Sequence, residues 1–369
     1  MHILFAGGGT AGHINPALSV AKYLQENYDN VKISYIGTEK GLESRLVREA
    51  GYDFYTIEVS GFQRKINFEN IKKNIVAVKN AVTSSYKVKK ILKDLSPDVV
   101  VGTGGYVSGP VLRTAAKMGI KTAIHEQNAY PGVTTKMLIK LVDKVMLAMP
   151  EAATRLKYDR EYIVTGNPVR EKLIVADRNK CREKLGIKNE TMILSFGGSL
   201  GARAINEAIF GVADYVNQNA NCVLYHATGK NGHKIFMDKF SATDYSKNKN
   251  IRIVEYINNM DELLTAADIV VCRAGAITLA ELQACGKASV LIPSPYVAEN
   301  HQYFNALTLK NKGAAEIIEE KDLTSDSLKN VISKLLSNNE YLKTMAENAK
   351  GSAITDSNKK IAEVITSLL

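Results

Sequence analysis

The chain has few of the residues that cross-link a protein. Its 369 residues include four cysteines, and no two of them form a C-x-x-C pair. Three of the four lie in or beside apolar runs; the positions are Cys181, Cys222, Cys272 and Cys285. This distribution argues against a disulfide framework or a zinc site and indicates the buried, reduced thiols of a cytosolic protein.

Long apolar segments are also missing. No apolar run approaches the roughly 18 residues that a membrane-spanning helix needs, and the sequence has no low-complexity tract. A predicted strand starts at residue 2, so we expect no signal peptide and a protein that remains in the cytoplasm. With 45% hydrophobic and 23% charged residues, the chain has the composition of a globular protein, and its length suits two domains.

Three signatures of phosphate, acyl and metal chemistry are absent as well. The sequence contains no Walker A motif, no G-x-S-x-G elbow and no cluster of histidine, cysteine or aspartate with metal-ligand spacing. We therefore expect no metal ion and no cofactor. Any bound phosphate would be stabilised by backbone N–H groups and helix dipoles.

What the sequence does have is two glycine-rich loops. The apolar run His2–Ala6 leads into Gly7–Gly12, and the run Met192–Phe196 leads into Gly197–Gly201. A strand, a glycine-rich loop and a helix N-terminus form a favourable anion site, because unpaired N–H groups and the helix dipole meet there. Two such loops in one chain predict two similar α/β halves that face a shared cleft.

The rest of the hydrophobic pattern alternates between strands and helices. This alternation predicts an α/β fold with parallel sheets and right-handed crossovers. Further strands are predicted at 31–36, 53–59, 98–101, 121–125, 144–148, 222–227, 251–254, 269–272 and 289–292. Ligands bind at the carboxyl ends of parallel strands. The remaining motifs all lie at such ends: Gly102–Tyr106, His125–Asn128, Arg273–Glu281 and Pro293–Gln302.

The net charge of +10 is concentrated in one stretch. Between Arg64 and Lys93 there are nine basic residues and one acid, and apolar residues recur there at helical spacing. One interpretation is a surface helix with a solvated lysine face. The other is a basic amphipathic surface that rests on anionic lipid headgroups, with Phe62 and Phe68 placed for insertion. No nucleic-acid-binding motif accompanies the charge, so we expect no nucleic acid partner.

The first loop also fits a nicotinamide enzyme. Gly7-x-Gly9-x-x-Gly12 matches the dinucleotide fingerprint. However, the acid after the second strand, Glu39, lies 27 residues beyond Gly12, whereas the fingerprint has it about 20 residues on. A second glycine-rich loop is also not needed by an enzyme that binds one dinucleotide.

Seven motifs, taken in order, resemble those of one family. They are GGGTAGH at Gly7–His13, the turn at Gly102–Tyr106, HEQN at His125–Asn128, GNPVR at Gly166–Arg170, GGSLGA at Gly197–Ala202, RAGAITLAE at Arg273–Glu281 and NHQ at Asn300–Gln302. Their order and approximate spacing, over nearly the whole chain, are similar to those of the MurG family. Its members are inverting GT-B glycosyltransferases of family 28.

This resemblance implies two Rossmann-like domains around a central cleft, and a reaction. Family members transfer N-acetylglucosamine from UDP-N-acetylglucosamine to O4 of the muramoyl sugar of lipid I, and the product, lipid II, serves peptidoglycan synthesis. The implied N-terminal domain, residues 1–165 with the C-terminal helix 355–369, binds the acceptor and associates with the membrane. Residues 166–354 bind the donor. The implied location is the cytoplasmic face of the cell membrane, on its anionic surface, with other wall-synthesis enzymes as candidate partners.

The resemblance also assigns donor contacts. The Gly197–Ala202 loop with Ser199 would cradle the UDP diphosphate, where charge develops in the transition state. Arg170 would contact the donor phosphates, Glu281 would accept both ribose hydroxyls, and the backbone of Ile257 would read uracil. The other implied UDP-N-acetylglucosamine contacts are Thr10, Ala11, Gly12, Asn128, Ala276, Ile277, Thr278, Leu279, Ala280 and Gln302, with His301 as an assisting residue.

Catalysis and acceptor binding are assigned to the first half. His13 is the candidate general base, since imidazole titrates near working pH, and Glu126 is the reserve base. His13 could instead donate to the acceptor diphosphate or cap the loop. The implied acceptor diphosphate site comprises Gly9, Gly104, Gly105 and Tyr106.

One residue departs from the family pattern. Ala11 stands where members usually have glycine, which would cost stability or loosen acceptor binding if this position needs a positive φ.

Two other functions stay open. A UDP-N-acetylglucosamine 2-epimerase would share the GT-B architecture and act without an acceptor. A non-catalytic membrane-surface scaffold would bind the nucleotide sugar and show no turnover.

Overall fold

Strands and helices alternate along both halves of the chain. A computed structural model describes residues 1–59 and 84–369. These residues form two units, one from Met1–Pro168 together with Asp356–Leu369 and the other from Val169–Thr355.

The first unit is built on a seven-stranded parallel sheet. Its strands are β1 (His2–Ala6), β2 (Lys32–Gly37), β3 (Asp53–Thr56), β4 (Val99–Gly102), β5 (Lys121–Glu126), β6 (Lys144–Leu147) and β7 (Ile163–Val164). They lie side by side in the order β3-β2-β1-β4-β5-β6-β7. The helices between them are α1 (Ala11–Asn27), α2 (Leu42–Glu49), α3 (84–95), α4 (Gly105–Lys117) and α5 (Val133–Leu138).

The second unit repeats this plan with a six-stranded parallel sheet. Its strands are β8 (Thr191–Phe196), β9 (Cys222–Ala227), β10 (Ile251–Val254), β11 (Ile269–Cys272), β12 (Ala288–Leu291) and β13 (Ala315–Ile317), in the order β10-β9-β8-β11-β12-β13. Its helices are α6 (Glu171–Val175), α7 (Arg178–Lys184), α8 (Arg203–Gln218), α9 (His233–Ser241), α10 (Met260–Ala266), α11 (Ala276–Cys285), α12 (His301–Asn311), α13 (Ser325–Leu336) and α14 (Asn339–Gly351).

Aliphatic side chains hold helices on both faces of each sheet. In the first unit, Leu4 and Val100 face one cluster and Ile3 and Val99 face the other, because successive strand residues point to opposite faces. Each such side chain, when fully buried, contributes about 1.5–3 kcal/mol. The last helix, α15 (Ser357–Thr366), packs against α1 and so returns the chain to the first unit.

The predicted strand and helix pattern is confirmed in most places. The strands at 222–227, 251–254 and 269–272 have the predicted bounds. The residue pattern of 298–312 also predicts a helix. The structure interrupts it, because Glu299 and Asn300 have positive φ angles and α12 starts only at His301. The short strand β13 was not predicted from the sequence.

The basic stretch predicted as helical is described only in part. Phe62, Phe68 and the other residues of 60–83 lie outside the described residues. The remaining part forms α3, where Val88 and Leu92 are buried in the core. Among the described helices, none is both long and apolar enough to cross a membrane.

The strand order fixes where each unit can bind a ligand. In both sheets the direction of strand addition reverses at the first strand, between β1 and β4 and between β8 and β11. Ligands of open parallel sheets bind outside the carboxyl ends of the strands at such a reversal point. Both glycine-rich loops follow the strand at this point.

Candidate functional site

The two glycine-rich turns of the first unit start side by side. The register pairs Ala6 of β1 with Gly102 of β4, so both strands end at the same level. A Cβ atom on Gly105 would lie 2.2 Å from the carbonyl oxygen of Gly8, which shows that only glycine permits this approach. The N-termini of α1 and α4 follow these turns, and their first N–H groups have no acceptor within the helix.

His13 lies in the first turn of α1 and is half-buried. Its Nδ1 lies 3.0 Å from the carbonyl oxygen of Gly8 and 3.3 Å from Oγ1 of Thr10. Because a carbonyl oxygen only accepts hydrogen bonds, Nδ1 carries the proton and Nε2 keeps its lone pair when the ring is neutral. The ring lies over Gly104, where a Cβ atom would come within 2.8 Å of Cδ2.

The first glycine-rich loop, Gly7–Gly12, is hydrogen-bonded to a carboxylate of α2. The N–H of Gly9 donates to Oε2 of Glu43 at 3.2 Å, and Gly9 has a φ of +87°. Thr10 is the N-cap residue of α1, while Ala11 is its first helical residue and does not have a positive φ. The cost expected for alanine at position 11 therefore does not arise. Gly12 follows it in the helix.

The remaining first-unit residues lie around the same strand ends. Tyr106 is in the first turn of α4, and its ring is the nearest neighbour of Gly9, 3.1 Å from the Cβ position. Glu126 ends β5 and is buried; its carboxylate accepts hydrogen bonds from N and Nδ2 of Asn128, from N of Gly132 and from Oγ1 of Thr135. Both carboxylate oxygens of Glu126 are thus engaged in fixing the turn that carries Asn128.

The glycine-rich loop of the second unit is more open. Gly198 has a φ of +95°, and a Cβ atom there would have no neighbour within 4 Å. Gly198 and Ser199 are exposed. Beside them lies a cavity of about 580 Å³. Its lining includes Gly197, Gly201, Ala202, Arg273, Gln302 and Glu320.

Two predicted donor-site residues contact each other in the second unit. Nε of Arg170 donates to Oε1 of Glu281 at 2.8 Å, and its Nη1 pairs with Asp261. Glu281 lies on α11 and is 9% exposed. Burial raises the pKa of the Glu281 carboxyl, and the positive charge and hydrogen bond of Arg170 counteract this shift. The ion pair thus places the guanidinium of Arg170 next to a buried carboxylate.

The other predicted donor residues lie on neighbouring elements of the same unit. Ala276, Ile277, Thr278, Leu279 and Ala280 form the first half of α11, whose N-terminus follows β11. The side chain of Ile257 is buried, which leaves its backbone as the group that a ligand can contact. Oε1 of Gln302 accepts from the N–H of Ser294 at 2.9 Å, and Nδ1 of His301 lies 2.8 Å from the carbonyl oxygen of Ala298.

The predicted residues thus fall into two groups, one in each unit. The first unit holds Gly9, Thr10, Ala11, Gly12, His13, Gly104, Gly105, Tyr106, Glu126 and Asn128, and the second holds the rest. Two partners were missed by sequence reasoning: Asp261, which pairs with Arg170, and Glu43, which holds Gly9. Glu39, the acid that a dinucleotide fingerprint would use, is exposed and pairs with Arg48.

Family models match both halves of the chain. Residues 3–147 match the glycosyltransferase family 28 N-terminal domain, and residues 192–362 match the family 28 C-terminal domain. The first match covers the strands from β1 to β6, and the second covers those from β8 to β13.

Named relatives match the chain over its full length. A UDP-N-acetylglucosamine–N-acetylmuramyl-(pentapeptide) pyrophosphoryl-undecaprenol N-acetylglucosamine transferase of Acetivibrio thermocellus is 43% identical over 370 residues, covering 100% of this chain and 98% of the relative. The crystal structure of Acinetobacter baumannii MurG superposes with a TM-score of 0.80 at 29% identity, covering 99% of each chain.

A UDP-GlcNAc 2-epimerase shares only the fold. The Neisseria meningitidis enzyme, solved with UDP-GlcNAc bound, has a TM-score of 0.67 at 15% identity and covers 100% of both chains. This likeness is one of architecture. It leaves the transferases as the relatives that match in sequence.

Proposed function

The chain belongs to glycosyltransferase family 28, and we propose that it transfers N-acetylglucosamine from UDP-N-acetylglucosamine to O4 of the N-acetylmuramoyl sugar of lipid I, giving lipid II for peptidoglycan synthesis. Its curated relatives at 43% identity carry the name of this transferase. The full-length match supports the same donor and acceptor for this chain.

We propose that His13 is the general base. Inversion needs a group that takes the proton from the acceptor hydroxyl while its oxygen attacks C1 of the donor sugar and UDP leaves. The hydrogen bond from Nδ1 to the carbonyl oxygen of Gly8 supports this role, because it leaves the Nε2 lone pair to accept the proton. This observation carries the mechanism.

Glu126 is better suited to positioning than to proton transfer. Its two carboxylate oxygens accept four hydrogen bonds from the turn at residues 128–135. Taking a proton would weaken these bonds, whereas an ionised carboxylate strengthens them. We therefore assign Glu126 to the placement of Asn128, which we propose contacts the donor.

We propose that the second unit binds the donor through its UDP portion. The open Gly197–Ala202 loop with Ser199, together with the N-terminus of α11, presents N–H groups that suit the diphosphate. Glu281 would accept the ribose hydroxyls and Arg170 would contact the phosphates. The backbone of Ile257 would read uracil, and Gln302, which lines the cavity, would contact the sugar.

We propose that the first unit receives the acceptor diphosphate. The turns at Gly9 and at Gly104–Tyr106 lie in contact at the carboxyl ends of β1 and β4, and two helices begin there. Thr10, Ala11 and Gly12 stand at the start of α1, where we propose they contact the donor sugar. His13 follows them in the first turn of α1, and we propose that its imidazole takes the proton of the acceptor hydroxyl.

A transfer assay tests this function. The protein is mixed with radiolabelled UDP-N-acetylglucosamine and a lipid I analogue, with EDTA present, and we expect label to enter the acceptor through a β-1,4 bond. Folded protein that transfers no label would contradict the proposal. Formation of UDP-N-acetylmannosamine without any acceptor would indicate the 2-epimerase instead.

We also propose that the first unit rests on the anionic inner surface of the cell membrane. In the described part of the basic stretch, Lys89 and Lys90 are exposed on α3. A second exposed surface runs from α5 into the turn that follows it, where Val133, Met137 and Leu141 are 47%, 58% and 43% exposed at spacings of four residues. Apolar residues beside lysines suit binding to anionic headgroups.

Lysine side chains border this apolar stripe. Nζ of Lys136 lies 4.1 Å from the ring centroid of Tyr130, and Nζ of Lys140 lies 5.4 Å from that of Tyr158. Aromatic rings with adjacent cations are typical of the membrane–water interface. The stripe thus has both the apolar and the basic component of an interfacial surface.

Vesicle pelleting tests the membrane proposal. The double variant Lys136→Glu and Lys140→Glu should pellet less with phosphatidylglycerol vesicles while keeping its activity on a soluble acceptor. The control variant Lys343→Glu with Lys359→Glu changes two exposed lysines and the net charge equally. Equal pelleting of both variants would contradict a role for this surface.

A further inference from the structure

Glu43 is a buried carboxylate behind the first glycine-rich loop. It lies in the first turn of α2, and none of its surface is exposed. Its Oε1 accepts from N and Oγ1 of Thr38 at 3.0 and 2.7 Å, and its Oε2 accepts from the N–H of Gly9 at 3.2 Å. Among residues 1–59 and 84–369, no basic side chain forms an ion pair with it. These three donors, two of them backbone amides, are what compensate its charge.

Three glycines make room for this side chain. A Cβ atom on Gly8, Gly37 or Gly41 would lie 2.6, 2.5 or 2.3 Å from an atom of Glu43, closer than real Cβ contacts. The glycine of the loop, the glycine that ends β2 and the glycine that precedes α2 thus surround one carboxyl group. Such packing fixes the side chain to a single position.

The loop links Glu43 to His13. Glu43 holds the N–H of Gly9, and the preceding residue, Gly8, accepts the hydrogen bond from Nδ1 of His13 through its carbonyl oxygen. The carbonyl of Gly8 and the N–H of Gly9 belong to the same peptide unit, which is rigid and planar. Any rotation of this peptide would therefore change both hydrogen bonds together.

We propose that Glu43 is a positioning residue for the transfer reaction: it fixes the Gly8–Gly9 peptide and so sets both the imidazole of His13 and the loop that receives the acceptor diphosphate. The inference rests on the proposed function, which places the acceptor at this loop. Glu43 touches neither substrate. It acts through the peptide that it holds.

The variant Glu43→Gln tests this role. The glutamine amide has one oxygen, which can accept either from N and Oγ1 of Thr38 or from the N–H of Gly9. Its NH₂ group then faces the donor that the oxygen does not reach. Serving Thr38 keeps more bonds, so the bond to Gly9 is lost. We expect the KM for the acceptor to rise tenfold or more and kcat to fall, while the KM for UDP-N-acetylglucosamine changes less than twofold. Charge-assisted hydrogen bonds have effects of this size.

The control is Glu49→Gln, which makes the same change on the same helix. Glu49 is exposed and pairs with Arg45, so both KM values should stay as in the wild type. A merely structural role of Glu43 would reduce the amount of folded enzyme and leave the acceptor KM unchanged. An acceptor KM that rises less than tenfold in folded Glu43→Gln protein overturns the inference. Wild-type protein that transfers no sugar overturns the proposed function instead, before any variant is compared.

A second variant covers the case in which Glu43→Gln does not fold. Thr38→Val keeps the shape of the side chain and removes the hydroxyl that holds Oε1 of Glu43. We expect a threefold or larger rise in the acceptor KM with the donor KM unchanged. A smaller rise overturns the inference.

Discussion

The two glycine-rich loops look alike in sequence and are supported in different ways. In the first unit, the N–H of Gly9 donates to the carboxylate of Glu43, so this amide already has an acceptor within the protein. In the second unit, support comes from the backbone at the far end of the loop: a Cβ atom on Gly201 would lie 2.1 Å from the carbonyl oxygen of Thr228. The exposed middle of the loop, at Gly198 and Ser199, is left open.

The same glycine-rich motif can therefore have a different role in each unit. An open loop with free amides suits an anion that arrives as a leaving group and then departs. A loop held from behind suits the placement of a catalytic side chain, and His13 is the side chain bonded to it. We therefore expect changes at Gly9 and His13 to affect the acceptor and catalysis, and changes in the second loop to affect the donor.

The largest expected effect is that of His13→Ala. Loss of a general base lowers kcat by about 10²–10⁴, and the affinity for UDP should not change. Steady-state kinetics with both substrates, together with calorimetry of UDP binding, checks this. A loss confined to the acceptor KM would instead assign His13 to acceptor binding.

Glu281→Ala should have the next largest effect, on the donor alone. Removing the carboxylate takes away the proposed partner of the ribose hydroxyls and leaves Arg170 with Asp261 as its remaining acidic contact. We expect UDP to bind about 10–100-fold more weakly, the size of a lost hydrogen bond to a charged group. Unchanged affinity in calorimetry would refute the ribose role.

A matched pair of glycine substitutions compares the loops directly. Gly9→Ala and Gly198→Ala each place a side chain at a positive φ, +87° and +95°, which costs about 1–2 kcal/mol. We expect the first to raise mainly the acceptor KM and the second mainly the donor KM, each by about 5–30-fold. A raised donor KM in Gly9→Ala together with a raised acceptor KM in Gly198→Ala would contradict the proposed roles of the two loops.

The control for this pair is Gly51→Ala. Gly51 has a φ of +80° and no atom within 4 Å of its Cβ position, and it follows the C-terminal end of α2, whereas Glu43 lies in the first turn of that helix. It should lower the melting temperature and leave both KM values unchanged. A KM change here would mean that backbone strain alone, wherever it lies in the first unit, accounts for the effect of Gly9→Ala.

Ser199→Ala should have the smallest effect. In the proposed site its hydroxyl would add one hydrogen bond to a diphosphate bound mainly by backbone amides, so UDP affinity should fall only about 2–10-fold. Calorimetry measures this change. A fall as large as that for Glu281→Ala would mean that the side chain, and not the loop backbone, holds the diphosphate.

The sequence predicted the fold well because its signals are local. The apolar runs that became β8, β9 and β11 and the glycines after them specify strand, turn and helix within a few residues. The short β13 lacks such a run. Local patterns also predicted buried cysteines. Cys181, Cys222 and Cys272 are buried, whereas Cys285 is only partly buried.

The partners of the candidate site could not be predicted in the same way. Glu43 reaches Gly9 across 34 positions, and Asp261 reaches Arg170 across a still longer stretch of chain. Nothing in the local sequence separates the buried Glu43 from the exposed Glu39, which pairs with Arg48. Only the pairing of β1 with β2 brings α2 behind the first loop.

The proposed roles of the two loops differ most in which of them binds the diphosphate of the donor. A crystal structure with UDP alone measures this directly. We expect the diphosphate within hydrogen-bonding distance of the N–H groups of Gly197–Ala202, with the ribose at Glu281. A diphosphate bound instead at the Gly7–Gly12 loop would contradict the division of tasks between the two loops.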